Sequence, residues 1–194
     1  MSYKRGDHYS RRARKEGYSA RSVFKLEEIQ TKWRLLRRGA RVLDLGCAPG
    51  SWSAYARECV GADGTVVGVD IQQVDGFPGT FLLGAIEDMS ADKLREALGG
   101  PADVVLSDMA PTTTGDRFGD HVRQVELVGV ALTLCEEILA PGGHLVGKVF
   151  DGQDAPAFVQ RVRGLFAETR RFKPKSTRGS SVEFFVVGKK RKSK

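Results

Sequence analysis

From Arg41 to Val187 the chain alternates short apolar runs with stretches of helical periodicity, and this alternation restricts it to one kind of architecture. Arg41–Leu45, Thr65–Val69, Phe81–Leu83, Asp103–Ser107 and His144–Phe150 have strand length and strand composition. Between and after them, Trp52–Val60, Ala91–Leu98, Val122–Leu139 and Ala155–Phe166 carry helical patterns. Strands joined by helices pair in parallel through right-handed crossovers, with helices covering both faces of the sheet. After the last helix, Thr169–Phe172 and Val182–Val187 read as an antiparallel pair at one edge. The predicted fold class is α/β: a Rossmann-like, doubly wound, mostly parallel sheet of seven strands with one antiparallel edge strand.

Ahead of this body, residues 1–18 read as a flexible basic arm. Ser19 reads as an N-cap, and Val23, Phe24, Leu26, Ile29 and Trp33 form a helical stripe to about residue 34. Residues 19–188 are the expected folded body and 189–194 a basic tail. The 194 residues carry a net charge of +7, concentrated at Lys4–Arg21, Arg37–Arg41, Arg170–Arg178 and Lys189–Lys192. Several such clusters together are the footprint of a polyanion partner, here nucleic acid. No apolar stretch approaches the roughly 20 residues needed to span a bilayer, and the polar start is not a secretory signal. The expectation is a cytoplasmic protein without a membrane partner, and a monomer. Cys47, Cys59 and Cys135, like His8, His121 and His144, show no ligand spacing, so no metal site is expected.

Two features carry chemistry. The first is Val42-Leu43-Asp44-Leu45-Gly46-Cys47-Ala48-Pro49-Gly50-Ser51-Trp52-Ser53, a buried strand, a glycine turn and a helix start. This is the ligand corner of a doubly wound sheet. Asp70 closes the next strand 20 positions after Gly50, where a carboxylate accepts hydrogen bonds from ribose hydroxyls. The Ala48-Pro49 turn departs from the dinucleotide spacing and offers few free N–H groups, which suits a cofactor without a pyrophosphate. S-adenosyl-L-methionine is such a molecule, with Asp44 and the loop around Gly46 facing its amino-acid end and Asp70 its ribose.

The second feature is a set of charges in apolar surroundings. Asp108 follows Val104-Val105-Leu106-Ser107, Lys148 interrupts Leu145–Phe150, and Glu183 heads Val182–Val187. Lys25 sits in the early helix. Charges in apolar strands are costly unless paired or used. A Lys–Asp–Lys–Glu cluster can abstract a proton, which a methyl-donating cofactor could exploit.

These segments, with Arg21–Ile29, Ser107-Asp108-Met109-Ala110-Pro111, Leu139–Gly143 and Gly147–Phe150, make the chain resemble the RrmJ/FtsJ family of RNA 2′-O-ribose methyltransferases, from about Tyr18 to Gly188. The resemblance implies that Gly50, Trp52, Asp70 and Asp108 contact S-adenosyl-L-methionine. It also implies that Lys25, Asp108, Lys148 and Glu183 form a catalytic tetrad with Lys148 as principal base. The implied acceptor is the 2′-hydroxyl of a uridine ribose in large-subunit ribosomal RNA, free or within the subunit. Where the family commonly has an acidic residue after the third strand's glycine, this chain has Ala85, and Asp88 with the Ile86 backbone is the expected adenine partner. A free lysine has a pKa of about 10.4, so a basic Lys148 requires desolvation and neighbouring positive charge to outweigh Asp108 and Glu183. Alternative readings are the same chemistry on transfer RNA or an mRNA cap, and a non-catalytic RNA-binding assembly factor. Thr112–Asp120 reads as a loop over the cofactor.

Overall fold

A computed structural model describes residues 8–110 and 117–193, apart from the side chains at 117–118 and 120–126. Seven strands form one sheet: β1 (Arg41–Leu45), β2 (Thr65–Asp70), β3 (Thr80–Leu83), β4 (Ala102–Ser107), β5 (Leu139–Phe150), β6 (Phe166–Phe172) and β7 (Glu183–Arg191). Their spatial order is β3-β2-β1-β4-β5-β7-β6. The first five pair in parallel, with Val42 opposite both Val66 and Val104. β7 runs antiparallel to β5 on one side and β6 on the other. The expected antiparallel pairing is present, with β7 inserted between β5 and an outermost β6.

Strand alternation sorts side chains into two cores. Val42, Val66, Val104, Leu106, Val146 and Phe185 face α2 (Val23–Trp33) and α3 (Ser51–Val60). Leu43, Val67, Val105, Leu145, Val149 and Val186 face α4 (Ala91–Leu98), α5 (Arg117–Ile138) and α6 (Ala155–Leu165). Burying both sheet faces removes a large apolar area from water, the main driving force for this three-layer arrangement. Counting outward from β1 the order runs 2-3 one way and 4-5 the other. The chain therefore reverses its winding between β1 and β4, and ligands bind at the carboxyl ends of the strands there.

Residues 8–15 and 189–191 are more structured than the sequence pattern suggests. Within the expected arm, His8–Lys15 forms α1. It buries Ala13 beside Val23 and Phe24, and the Arg12 guanidinium lies 4.1 Å from the Phe24 ring centroid. α2 begins at Val23 after Ser22, not after Ser19; Ser19 Oγ instead donates to the Pro49 carbonyl at 2.8 Å. Lys189–Arg191, expected as tail, continue β7, where Lys189 pairs with Glu168 of β6 at 3.1 Å. Of the expected loop Thr112–Asp120, residues 112–116 lie outside the described residues, and α5 starts at Arg117. No helix among the described residues is long and apolar enough to cross a membrane.

Candidate active site and cofactor crevice

The parity of the strands explains why four distant charges meet. Leu106, Val146 and Phe185 point to the α2 face, so Asp108, Lys148 and Glu183, each two residues away, are set on that face by the period of two. All three lie at the same end of the sheet, because antiparallel β7 begins where the parallel strands finish; Phe150 pairs with Glu183. Lys25, in the first turn of α2, meets them from above. Its Nζ is 2.6 Å from Glu183 Oε1 and 3.8 Å from Asp108 Oδ1. Lys148 Nζ is 3.2 Å from Asp108 Oδ1 and donates to the Asp108 carbonyl at 2.5 Å. With its side chain 8% exposed, Lys148 does not snorkel to water but ends inside the cluster.

The glycine corner stands beside this cluster and is bonded to the same helix. Gly46 has φ +69°, and a Cβ there would come 2.1 Å from Met109 Cγ, so the turn requires glycine on conformation and on space. Gly50 precedes α3 with φ +94°. The Trp52 indole is buried: it donates to the Ser22 carbonyl at 2.8 Å and packs on Phe185, ring centroids 5.7 Å apart. A cofactor contact from Trp52 would therefore come through its backbone. Ser22 and Ser51 hydroxyls are hydrogen-bonded at 3.1 Å. Together with Ser19 these contacts fix the start of α2, and hence Lys25, to the loop that begins α3.

Three carboxylates follow one another along the crevice. Asp44 is fully buried and accepts from Ser53 Oγ at 2.6 Å. Burial, reinforced by the charges of Asp108 and Asp70 and opposed by the Ser53 hydrogen bond, pushes its pKa up to about 7. Asp70 accepts from the Ala48 and Gln72 amides, both at 2.8 Å, so it clamps the glycine loop to the loop after β2; ribose hydroxyls would use its remaining lone pairs. Asp88 is exposed on a 3₁₀ turn, Ile86–Asp88, beyond β3. The cap of α4 belongs to Ser90, whose hydroxyl accepts from the Lys93 amide at 3.3 Å.

Asp70 and Asp108 at the carboxyl end of the strands disfavour a pyrophosphate and favour a cation, while the buried Asp44, with its pKa raised to about 7, carries only part of a charge near neutral pH. S-adenosyl-L-methionine fits that donor set: it presents a sulfonium, an ammonium and ribose hydroxyls. Strand order, switch point and acidic crevice define a Rossmann-like methyltransferase.

Comparison with known proteins narrows the class. The FtsJ-like methyltransferase family model matches residues 18–191, and the chain belongs to that family. A ribosomal RNA large subunit methyltransferase E of Sorangium cellulosum is 46% identical over 194 residues, covering 98% of this chain and 91% of the relative. One from Syntrophobacter fumaroxidans is 46% identical over 191 residues, covering 97% of each. Among solved structures, a Plasmodium falciparum protein described as a ribosomal RNA methyltransferase superposes with a TM-score of 0.80 at 29% identity, covering 91% of this chain and all of that one. Fibrillarin of Aeropyrum pernix, solved with bound S-adenosyl-L-methionine, shares the fold with a TM-score of 0.62 at 15% identity, covering 86% of this chain and 76% of that one. The chain is thus an RNA methyltransferase whose cofactor is S-adenosyl-L-methionine.

Sequence reasoning placed Arg21 among the N-terminal cations and in the family-like segment Arg21–Ile29, and Arg178 in a basic group expected to grip RNA phosphates, without bringing either to the tetrad. Both line a cavity shared with Lys25 and Glu183. The signal available was spacing: Arg21 precedes Lys25 by four residues, about one helical turn. Glu28 was also passed over. Its carboxylate accepts the Lys175 and Ser176 amides at 2.7 and 2.8 Å, docking the β6–β7 loop on α2.

Proposed function

We propose that this enzyme methylates the 2′-hydroxyl of a uridine ribose in large-subunit ribosomal RNA, with Lys148 as the base. The carrying observation is the convergence of Lys25, Asp108, Lys148 and Glu183 within ion-pair distance beside an acidic crevice. The large-subunit acceptor is supported by relatives named for it that align along almost the whole chain. Action as a monomer is supported by a site built wholly from one chain, and the cytoplasm is the compartment that accords with the subunit as acceptor.

The chain's own residues divide the work. S-adenosyl-L-methionine supplies the methyl group as an electrophile on sulfur. Asp44, Asp70, Asp108 and the Gly46–Gly50 loop would hold it, with the exposed Asp88 toward the adenine. Attack by oxygen requires the acceptor, the methyl carbon and sulfur to be nearly collinear; holding that geometry is worth several kcal/mol. As the ribose oxygen bonds to the methyl carbon and the carbon–sulfur bond breaks to leave a thioether, the hydroxyl proton would pass to Lys148 Nζ. Asp108 aims that amine through its carboxylate and carbonyl. Glu183 holds Lys25, whose charge faces Asp108 and shares that carboxylate with Lys148. The carboxylates orient amines and balance charge; neither needs to take the proton.

Transfer of labelled methyl from S-adenosyl-L-methionine to unmodified large subunits and, in parallel, to transfer RNA tests this reading, with ribose methylation mapped in the product. Wild type should modify one uridine ribose, and Lys148→Ala should bind cofactor but transfer about 10²–10⁴-fold more slowly. Normal turnover by Lys148→Ala would remove the base assignment, and label confined to transfer RNA would remove the ribosomal acceptor.

A further inference from the structure

Glu183 also lines a cavity of about 460 Å³ where β5 and β6 end and β7 begins. Asp151, Arg171, Lys173, Ser181, Val182 and Phe184 share it. Its two cations belong to the basic group 170–178, yet the protein itself holds them in place. The Arg171 guanidinium lies 3.8 Å from the Phe184 ring centroid and 3.0 Å from Asp151 Oδ1. Lys173 Nζ donates to the Ser181 carbonyl at 2.8 Å, and the Asp151 amide donates to the Val182 carbonyl at 2.9 Å. With a ring on one face and a carboxylate at its edge, the Arg171 side chain is still 45% exposed. What it offers is a flat cation in a fixed plane. Val182, beside Glu183, is a large apolar side chain left 60% exposed.

These groups complement a nucleobase better than a phosphate. A planar guanidinium and an apolar side chain suit the faces of a flat ring, and unstacked RNA bases settle on arginine planes in this way. The edge groups are mixed in kind. Asp151 gives Oδ1 to Arg171, which leaves Oδ2 to accept. Ser181 Oγ accepts the Glu183 amide at 3.2 Å, which leaves its hydroxyl proton to donate. The Lys173 ammonium has donors beyond the one it gives Ser181. A carboxylate in this company repels a phosphate but accepts from a ring N–H. Uracil presents one N–H between two carbonyls, so it uses both the acceptor and the donors.

We propose that this cavity receives the uracil of the acceptor nucleotide, its ring against Arg171 and its N3–H on Asp151. The proposal rests on the uridine-ribose reading above and adds to it the residues that read the base. The wall shared at Glu183 sets the base subsite beside the tetrad, as a single nucleotide requires. Arg171 and Asp151 are specificity residues, acting on the base rather than on the reacting atoms.

The test uses the full-length enzyme and unmodified large subunits whose mapped acceptor is uridine or, by substitution in the ribosomal RNA, cytidine. Wild type is compared with Asp151→Asn, Arg171→Lys and a control, Arg163→Gln on α6. Thermal melting confirms that each variant is folded. Wild type should favour uridine in kcat/KM by about tenfold or more, because cytosine turns a ring lone pair toward Asp151. Asp151→Asn keeps an oxygen for Arg171 but offers an amide donor beside it. It should lose about tenfold on uridine and bring the preference to about one or invert it. Comparing enzymes on the same subunits cancels any effect of the changed base on the RNA itself. Arg171→Lys keeps the charge without the plane, so it should lose about fivefold or more on both bases. The salt slope of RNA affinity should not change with it, since no phosphate contact is lost. Cofactor affinity should hold throughout. A folded Asp151→Asn enzyme with wild-type base preference, or Arg171→Lys matching Arg163→Gln, would overturn the base subsite alone. Wild type that transfers nothing to the uridine subunits would overturn the acceptor reading and the subsite with it.

Discussion

The two halves of the crevice neutralise their carboxylates by different means. On the β1–β2 side, Asp44 is held by a serine hydroxyl and Asp70 by two backbone amides. On the β4–β5–β7 side, Asp108 and Glu183 face lysine amines. Amides and hydroxyls hold a carboxylate in place without giving it a proton at neutral pH. Amines can exchange protons. The first half is suited to gripping a cofactor and the second to moving a proton, although both sit at the carboxyl end of one sheet.

That division is most exposed to failure at Lys148. Lys148→Ala should cost about 10²–10⁴-fold in single-turnover methyl transfer, the usual worth of a positioned base. Cofactor affinity, measured by calorimetry, should stay within a few-fold of wild type. A variant losing both in parallel would show that the halves are not separable.

A smaller effect should appear in stability at Asp44. Its pKa in the folded protein is raised from 3.8 to about 7. The folded state therefore favours the protonated form: the associated stability is fully present below the unfolded value and is lost as pH rises through about 7. Asp44→Asn keeps an oxygen for Ser53 but cannot ionise. Denaturant titrations from pH 5 to pH 8 should show wild type losing on the order of 2 kcal/mol relative to the variant. Equal pH dependence would mean that Asp44 does not carry this linkage. Asp70→Asn should be milder again. It retains one acceptor for two amides and loses the charge, so cofactor affinity should fall about tenfold, while transfer from the saturated complex stays near wild type. A fall in the saturated rate as large as that in affinity would blur the boundary between the halves.

The two halves were also legible to different degrees. The glycine corner is local, with Asp44 and Ser53 nine residues apart, and the tetrad announced itself because charges in apolar strands need a reason. Parity then placed Asp108, Lys148 and Glu183 on one face. Trp52 was harder to read: its indole serves Ser22 and Phe185, a contact fixed only once α2 is placed. α1 lacks an apolar stripe and buries only Ala13, so its composition resembled a loose arm. Arg178 reached the site only because Glu28, 147 and 148 residues from the amides it holds, docks its loop. Contacts of that separation leave no periodicity to detect.

The opposite end of the sheet offers the weakest effect and a control for all the others. His144, near the amino end of the parallel strands, pairs in register with Val104. Its Nδ1 accepts the Lys190 amide at 3.2 Å, which a protonated Nδ1 cannot do. Burial holds its pKa below the ordinary value, as do the charges of Arg37, Lys189 and Lys190, with Asp103 opposing. Here the folded state favours the neutral form, so the associated stability is fully present above the unfolded value, about 6.5, and is lost as pH falls from there through the lower folded one. Wild type should lose less than about 1 kcal/mol between pH 7.5 and 5.5 on this account. His144→Gln should abolish that dependence while leaving kcat untouched, since His144 bonds the Lys190 amide and not a member of the tetrad. Asp44 and His144 thus tilt stability in opposite directions with pH. If His144→Gln altered turnover as well as the acid limb, the two ends of the sheet would be coupled, and pH effects on activity could no longer be assigned to the crevice alone.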